Sequence, residues 1–453
     1  MILGCDSYKH SHGPMYPKDT KAMFCYLEPR AGKEIVFYGL QPLIHAFESN
    51  PITLDYVREA EWFCSKHFGR SDVFNPAWYD LARDYEGKLP VRIRAVPEGT
   101  VVPSKNVILT VESTDPKYYW LPTFLETMIV QLWYPCTVAT ISRHAKQIIK
   151  RYLEQTGNVD LLPFKLHDFG YRGVSSEESA AIGGSAHLIN FQGTDTLTGI
   201  AHVMEHYFCD KMPGFSIPAA EHSTVISWGK EHEVDSYRNM LQRFGDGLVA
   251  VVSDSYDIDN AITNLWGGVL KQEVLDMKGQ LVIRLDSGSN VPKAVLHGLE
   301  LIGQAFGTYE NSKGYKVLND KVRVLQGDGM NLQSLESVCH LLKMNKWSID
   351  NVAFGMGGGL LQKCDRDTYS FAYKPSAVNI EGKGWVNVSK SPKDAPEKAS
   401  KSGLLRLIKV DGKYQTVAND LHSVYPDELV TIYDTGKIMR EWTFDQIRER
   451  AKL

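Results

Sequence analysis

VAFGMGGGLLQK, residues 352–363, is an apolar run of strand character that breaks into Gly355, Gly357, Gly358 and Gly359 before apolar sequence resumes. Glycine has no Cβ, so such a turn has access to positive φ and lets bare backbone N–H groups approach an anion; a following helix N-terminus adds its dipole. Two readings stand at this point: a phosphate cradle, or a tight strand-to-helix turn that holds nothing. The spacing matches neither GxGxxG nor GxxxxGK[ST], so neither a dinucleotide fold nor a P-loop is supported. Upstream the same rhythm recurs in FKLHDFGYRG (164–173), LVAVVSDSYD (248–257), LVIRLDSG (281–288) and VRVLQGDG (322–329). Helix-period segments lie between them, such as Ile258, Ile262, Leu265 and Val269, or Leu332, Leu335, Val338 and Leu342. Continuous apolar runs alternating with helices imply strands buried on both faces, in a parallel sheet with right-handed crossovers.

Each run ends in a polar group. In α/β barrels chemistry gathers at the C-terminal ends of the strands, so Asp168, Arg172, Asp254, Arg284, Asp286, Asp328 and the glycines are expected at one mouth. A single Asp after a strand also serves as a helix N-cap, but its recurrence in consecutive units favours a site. Two cations, several carboxylates and a glycine turn suit a phosphorylated sugar, with Mg²⁺ bridging a pyrophosphate. SIPAAEHSTVISWGKEHE (216–233) presents Glu221 and His222 after Pro218. His222 reads either as a satisfied polar residue or as a nucleophile or general base.

Length and composition bound the alternatives. The 453 residues suffice for one large or two to three ordinary domains, and the net charge of −4 with no long basic run offers nothing to nucleic acid. Seven scattered cysteines, without CxxC or zinc spacing, read as reduced thiols in a cytoplasm. The N-terminus lacks a signal pattern, and the apolar segment 118–135 carries Thr123, Glu126, Thr127 and Gln131, so it reads as a buried helix, not a membrane span. A second helix is expected from about Ser142 to Gln155. EIVFYGL (34–40), VRIRAVP (91–97) and NVILTVE (106–112) read as strands. The opening CDSYKHSHGPMYP (5–17) reads as a solvated terminus, with a metal site at Asp6, Tyr8, His10 and His12 as the alternative. After Arg366, turns at 381–384, 411–412 and 434–436 read as hairpins, before a short helix at 444–452.

HDFGYRGVSS (167–176), FQGTDT (191–196), SIPAAEHS (216–223), VVSDSYD (251–257), QGDG (326–329) and FGMGGGLLQK (354–363) together resemble the nicotinamide phosphoribosyltransferases. So do DSYK (6–9), VFYGLQ (36–41) and AVPEG (95–99), and the resemblance runs in order along essentially the whole chain. It implies a type II phosphoribosyltransferase: an irregular α/β barrel over residues 151–365, and a second, mixed, β-rich domain built from 1–150 and 366–453. It also implies a homodimer with shared active sites, acting on nicotinamide and 5-phosphoribosyl 1-pyrophosphate, with Mg²⁺ and with ATP as co-substrate. By the same resemblance the pyridine ring sits between Phe169 and the partner's counterpart of Tyr8, beside Arg172. Asp195 accepts the amide N–H, and Asp6, Ser216 and Ile217 belong to the substrate set. Arg284, Asp286 and Asp254 serve ribose and pyrophosphate, and Gly327, Asp328, Gly357 and Gly358 serve the product's ribose and phosphate. Arg366, Lys374, Arg30 and Lys398 form a basic set around the phosphates, and His222 is the residue phosphorylated by ATP.

The chain departs from that pattern in places. EPRAGKEIV (28–36) is a short loop, as in a bacterial or phage version of the family, Leu285 stands where Pro is expected, Ala372 where Ser is usual, and Met356 where a small polar residue is common. Nicotinate phosphoribosyltransferase is the nearest alternative activity; a non-catalytic nucleotide-binding module and a Mg²⁺-dependent sugar-phosphate hydrolase are the others.

Overall fold

A computed structural model describes residues 1–286, 288–394, 399–419 and 424–453, so the expected phosphate residue Lys398 lies outside the described residues. The chain forms two compact units, one of Met1–Ala139, Glu205–Cys209 and Cys364–Lys452, the other of Thr140–Met204, Asp210–Lys363 and Leu453.

The second unit is built on period-two strands. In LVIRL, Leu281, Ile283 and Leu285 are buried on one face, while Val282 and Arg284 point to the other. Burying one such aliphatic side chain contributes roughly 2 kcal/mol, which is why a one-residue slip is not tolerated. Six parallel strands form one sheet: Leu166–Asp168, Gly193–Thr194, Leu248–Val252, Gln280–Arg284, Val322–Gln326 and Val352–Met356. Its edges are Gly193–Thr194 and Leu248–Val252, and the chain between them closes the gap. Phe215 bridges Gly193, and Ala219 bridges Ala250. The Thr194 N–H donates to the Phe215 carbonyl at 3.0 Å, and the Ala250 N–H to the Pro218 carbonyl at 2.9 Å. Pro218 has no N–H for a full ladder, so this seventh stave remains irregular. The result is an irregular α/β barrel whose staves follow one another in chain order. Ala250, Val282 and Leu325 fill its inside, with Phe169, Ile217 and Ala353 packed against them.

One helix departs from its expected face. Ala261–Val269 is a π-helix, with the Leu270 N–H bonded to the Leu265 carbonyl at 2.8 Å. The wider turn buries Trp266 and Leu270 and leaves Val269 exposed, although 3.6-residue spacing selects Leu265 and Val269.

The first unit centres on a seven-stranded antiparallel sheet in the order Gly384–Asn387, Phe371–Ile380, Thr20–Pro29, Leu109–Ser113, Val91–Ala95, Val430–Asp434, Lys437–Ile438. The ends of the chain thus share one sheet, and the three expected hairpin turns join its late strands and the Leu405–Val410 and Lys413–Ala418 pair. Thr20–Pro29, its long central strand, was not among the strands expected from sequence. EIVFYGL is strand only over Glu34–Val36; Gly39, at φ 96°, turns the chain into the Leu40–Ser49 helix. A Cβ at Gly39 would lie 2.6 Å from Pro135 Cγ.

The single helix expected over 118–135 is three pieces, Leu121–Phe124, Glu126–Val130 and the start of Trp133–Thr156. That last helix begins nine residues before the expected Ser142, with Pro135 tolerated in its first turn. The opening segment is not solvated throughout: it forms 3₁₀ turns at Ser7–Ser11 and Gly13–Met15 that bury Lys9 and His10. Among the described residues no helix is long and apolar enough to cross a membrane.

Candidate functional site

Strand alternation selects which side chains reach the barrel mouth. Ala250 and Val282 face inward, and counting by twos from Val282 gives Arg284 at the end of its strand; Asp254 and Asp286 each lie two residues past a strand end, in the loops that follow Val252 and Arg284. Arg284 holds Asp286 bidentately, Nε to Oδ1 at 3.1 Å and Nη2 to Oδ2 at 3.0 Å. His222, the first residue of the His222–Ile226 helix, donates from Nε2 to Asp254 Oδ1 at 2.9 Å and lies 4.0 Å from Asp286 Oδ2. A carboxylate only accepts, so Nε2 is the donor in this pair. Donor atoms of His222, Asp254 and Asp286 lie within 4.8 Å of one another, among the described residues the one His/Cys/Asp/Glu group of that kind. Two carboxylates suit a hard divalent cation such as Mg²⁺, whereas the imidazole adds little to that affinity.

Asp286 has φ 53°, a left-handed conformation that costs a non-glycine residue roughly 1 kcal/mol. Gln326, buried in the next strand, offsets it: its Nε2 donates to the carbonyls of Asp286 and Asp328, both at 2.9 Å. Asp328 itself is exposed. Glu221 caps the His222 helix in a capping box with Thr224, and its carboxyl lies below the usual range because the Ser223 hydroxyl and then Arg172 favour the ionised form. The Arg172 side chain is 86% exposed and reaches Glu221 at 3.4 Å.

Opposite these groups, the Phe169 ring lies with the Arg284 guanidinium 6.0 Å from its centroid and the His167 ring at 4.5 Å. His167 Nε2 donates to Asp195 Oδ1 at 2.8 Å, and the Ser216 hydroxyl donates to the same oxygen at 2.5 Å. Burial pushes the Asp195 carboxyl up, but the His167 and Ser216 hydrogen bonds outweigh it and hold the pKa below the usual carboxylate value. Ile217, like Phe169, packs against the barrel interior.

The glycines act differently from the expectation of positive φ. None of Gly355, Gly357, Gly358 or Gly359 has positive φ. Two are required by close approach, since a Cβ would lie 2.3 Å from the Phe169 ring at Gly355 and 2.6 Å from the Met330 carbonyl at Gly359; at Gly357 it would lie 3.2 Å from the Phe169 carbonyl, a tight contact that a small shift relieves. Gly358 begins a single turn, Gly358–Leu361, and a Cβ at Gly327 would meet Asp286 and Phe169 only at ordinary contact distance. Met356 is buried, and its carbonyl accepts the Phe169 N–H at 3.1 Å.

Asp168 does not reach the mouth. His167 and Phe169 take the inward parity of the Leu166–Asp168 strand, so Asp168 faces outward, fully buried, accepting the Gly170 N–H at 2.7 Å. Burial raises its pKa. Sequence reasoning passed over His167 and Gln326 although both lie in quoted motifs; the period-two parity shared with Phe169 was the available signal for His167.

The remaining expected residues belong to the first unit. Asp6 accepts the Thr127 hydroxyl at 2.8 Å, and Tyr8 is 55% exposed with the Lys9 ammonium 5.7 Å from its ring. Lys9 and Lys374 share Glu126, at 2.5 and 3.5 Å. Arg30 and Lys401 share the buried Glu28, Arg30 at 2.7 Å. Strand register sets Tyr26 opposite Lys374 and Glu28 opposite Ala372, while Arg366 is exposed and pairs with Asp367 at 2.9 Å.

Comparison with known proteins adds independent findings. The sequence model of the nicotinate phosphoribosyltransferase (NAPRTase) family matches residues 164–429, and that of the nicotinamide phosphoribosyltransferase N-terminal domain matches residues 1–93. The chain is 47% identical to a Xanthomonas campestris pv. campestris (strain 8004) protein named nicotinamide phosphoribosyltransferase, over 100% of this chain and 98% of that one. A protein of that name from Acinetobacter baylyi is 29% identical, over 98% and 95%. Among solved structures, nicotinate-nucleotide pyrophosphorylase from Pyrococcus furiosus shares the fold with TM-score 0.65 at 16% identity, covering 99% of this chain and 94% of the other. Human nicotinic acid phosphoribosyltransferase does so with TM-score 0.56 at 14% identity, covering 98% and 92%.

Proposed function

The chain belongs to the nicotinate phosphoribosyltransferase family, and from that premise we propose that it transfers the phosphoribosyl group of 5-phosphoribosyl 1-pyrophosphate to nicotinamide, forming nicotinamide mononucleotide and pyrophosphate in NAD salvage. The observation that carries the choice of substrate is Asp195, held ionised beside the His167–Phe169 pair. An ionised carboxylate accepts a carboxamide N–H and repels a second carboxylate, which disfavours the nicotinate alternative.

In this reading the Phe169 face holds the pyridine and Asp195 orients its amide, so the ring nitrogen points at the anomeric carbon. Pyrophosphate departs as the nitrogen attacks, positive charge builds on the ribose, and Asp286, kept in place by Arg284 and Gln326, stabilises it. Asp254 and Asp286 are the residues that would hold Mg²⁺, which when bound neutralises pyrophosphate charge. Arg172, only loosely tied to Glu221, is available to a phosphate. His222 is phosphorylated by ATP: Nδ1 attacks the γ-phosphorus, ADP leaves, and later hydrolysis of the P–N bond couples ATP to synthesis. A homodimer contributes Tyr8, Arg30 and Lys398 from the partner.

Product formation from 5-phosphoribosyl 1-pyrophosphate and Mg²⁺ tests this, with nicotinamide or nicotinate offered separately, each with and without ATP. Selective nicotinamide mononucleotide formation, faster with ATP, is the expected result. Preference for nicotinate overturns the substrate, and no product from either favours the non-catalytic module.

A further inference from the structure

His167 makes two contacts that the reaction above does not itself require. Its Nε2–H is given to Asp195 Oδ1, and its ring lies 4.5 Å from the Phe169 ring at 35°. Gly193, its register partner, leaves room for the ring, since a Cβ there would lie 2.9 Å from His167 Nδ1. Because Ser216 uses the same Asp195 oxygen, both side-chain donors among the described residues converge on Oδ1 and Oδ2 is left as an acceptor. The other charged groups bearing on this pair are Arg284, which also favours the ionised Asp195, and the outward-facing Asp168.

We propose that His167 is the positioning residue that sets discrimination between a pyridine carboxamide and a pyridine carboxylate, by holding one oxygen of Asp195 and so presenting the other to the substrate. The inference rests on the nicotinamide reading above and goes beyond it, since it assigns selectivity to a residue that need not touch the substrate.

The chemistry follows from what Asp195 loses without its donor. Burial alone drives this carboxyl towards its neutral form, and two hydrogen bonds reverse that. With the His167 N–H removed, a protonated Asp195 becomes accessible, and a carboxylic acid donates to nicotinate instead of repelling it. The loss is therefore one of selectivity, concentrated in the KM for nicotinamide.

The test compares the wild type with His167→Leu, which removes the donor, and His167→Gln, which keeps an N–H donor. The reading is kcat/KM for nicotinamide divided by that for nicotinate, followed between about pH 5.5 and 8. His167→Leu is expected to lower this ratio by about tenfold or more, mainly through KM, with a further fall as the pH drops. His167→Gln is expected to keep most of the selectivity. Gly193→Ala displaces the imidazole without deleting it and is expected to shift the ratio the same way, which keeps the test available should His167→Leu not fold. A ratio within about twofold of wild type in folded His167→Leu, or equal loss in Leu and Gln variants, overturns the inference while a selective wild type leaves the functional reading standing. A wild type that prefers nicotinate or forms no product overturns both.

Discussion

Gly355 shows how much of the site rests on a missing atom. Its strand parity aims it at the barrel interior, where the Phe169 ring occupies the volume a side chain would need. Gly355→Ala is expected to push that ring aside without breaking the strand, raising the KM for nicotinamide by about tenfold or more while the unfolding midpoint falls by only a few degrees. Steady-state kinetics and a thermal melt on the same sample read both; an unchanged KM would show that Phe169 is not the platform. Gly355 was conspicuous in the sequence, yet its reason was not. A glycine run looks the same whether it serves positive φ, an anion or a neighbouring ring, and only the position of Phe169 separates these.

At the scale of elements, Lys165 ties the start of one barrel strand to the next. It is fully buried, and its ammonium donates to the carbonyls of Ile349, Asp350 and Val352, each at 2.9 Å, with all three N–H bonds engaged. Burial pushes its pKa down to about 7, with nearby Asp350 opposing the shift. The unfolded chain, with an ordinary lysine pKa of about 10.4, binds more protons than the folded chain between those limits, so stability rises with pH across that window. Urea unfolding at several pH values is expected to show this slope in the wild type and not in Lys165→Met. That variant should also lose roughly 3 kcal/mol near neutral pH, since three buried carbonyls lose their donor. A flat wild-type profile would sink the argument. Element identity was legible where a run was long and its period clear, as in LVIRLDSG. It failed at Ala261–Val269, because nothing in local apolar spacing announces a π-turn, and at Thr20–Pro29, whose partner strand Phe371–Ile380 lies some three hundred and fifty residues away.

For the whole molecule, the proposed dimer makes a prediction that neither unit makes alone. Tyr8→Ala and Asp286→Ala are each expected to be nearly inactive. Unfolded together and refolded as a mixture, they should regain roughly a quarter of wild-type activity, because a mixed dimer with shared sites carries one intact site and one doubly altered one. Activity no higher than the two parents would show that each site is made within one chain. Sequence by itself determined the parallel strand–helix alternation and the polar residues at the strand ends, because an apolar run and the polar group that ends it are local features of the chain. Tertiary structure alone decided that Asp168 faces away from the mouth, that residues 215–220 close the barrel, and that His167 and Ser216 converge on one oxygen of Asp195. Those facts depend on which backbone lies beside which, and neighbours far apart in the chain leave no periodic mark in it.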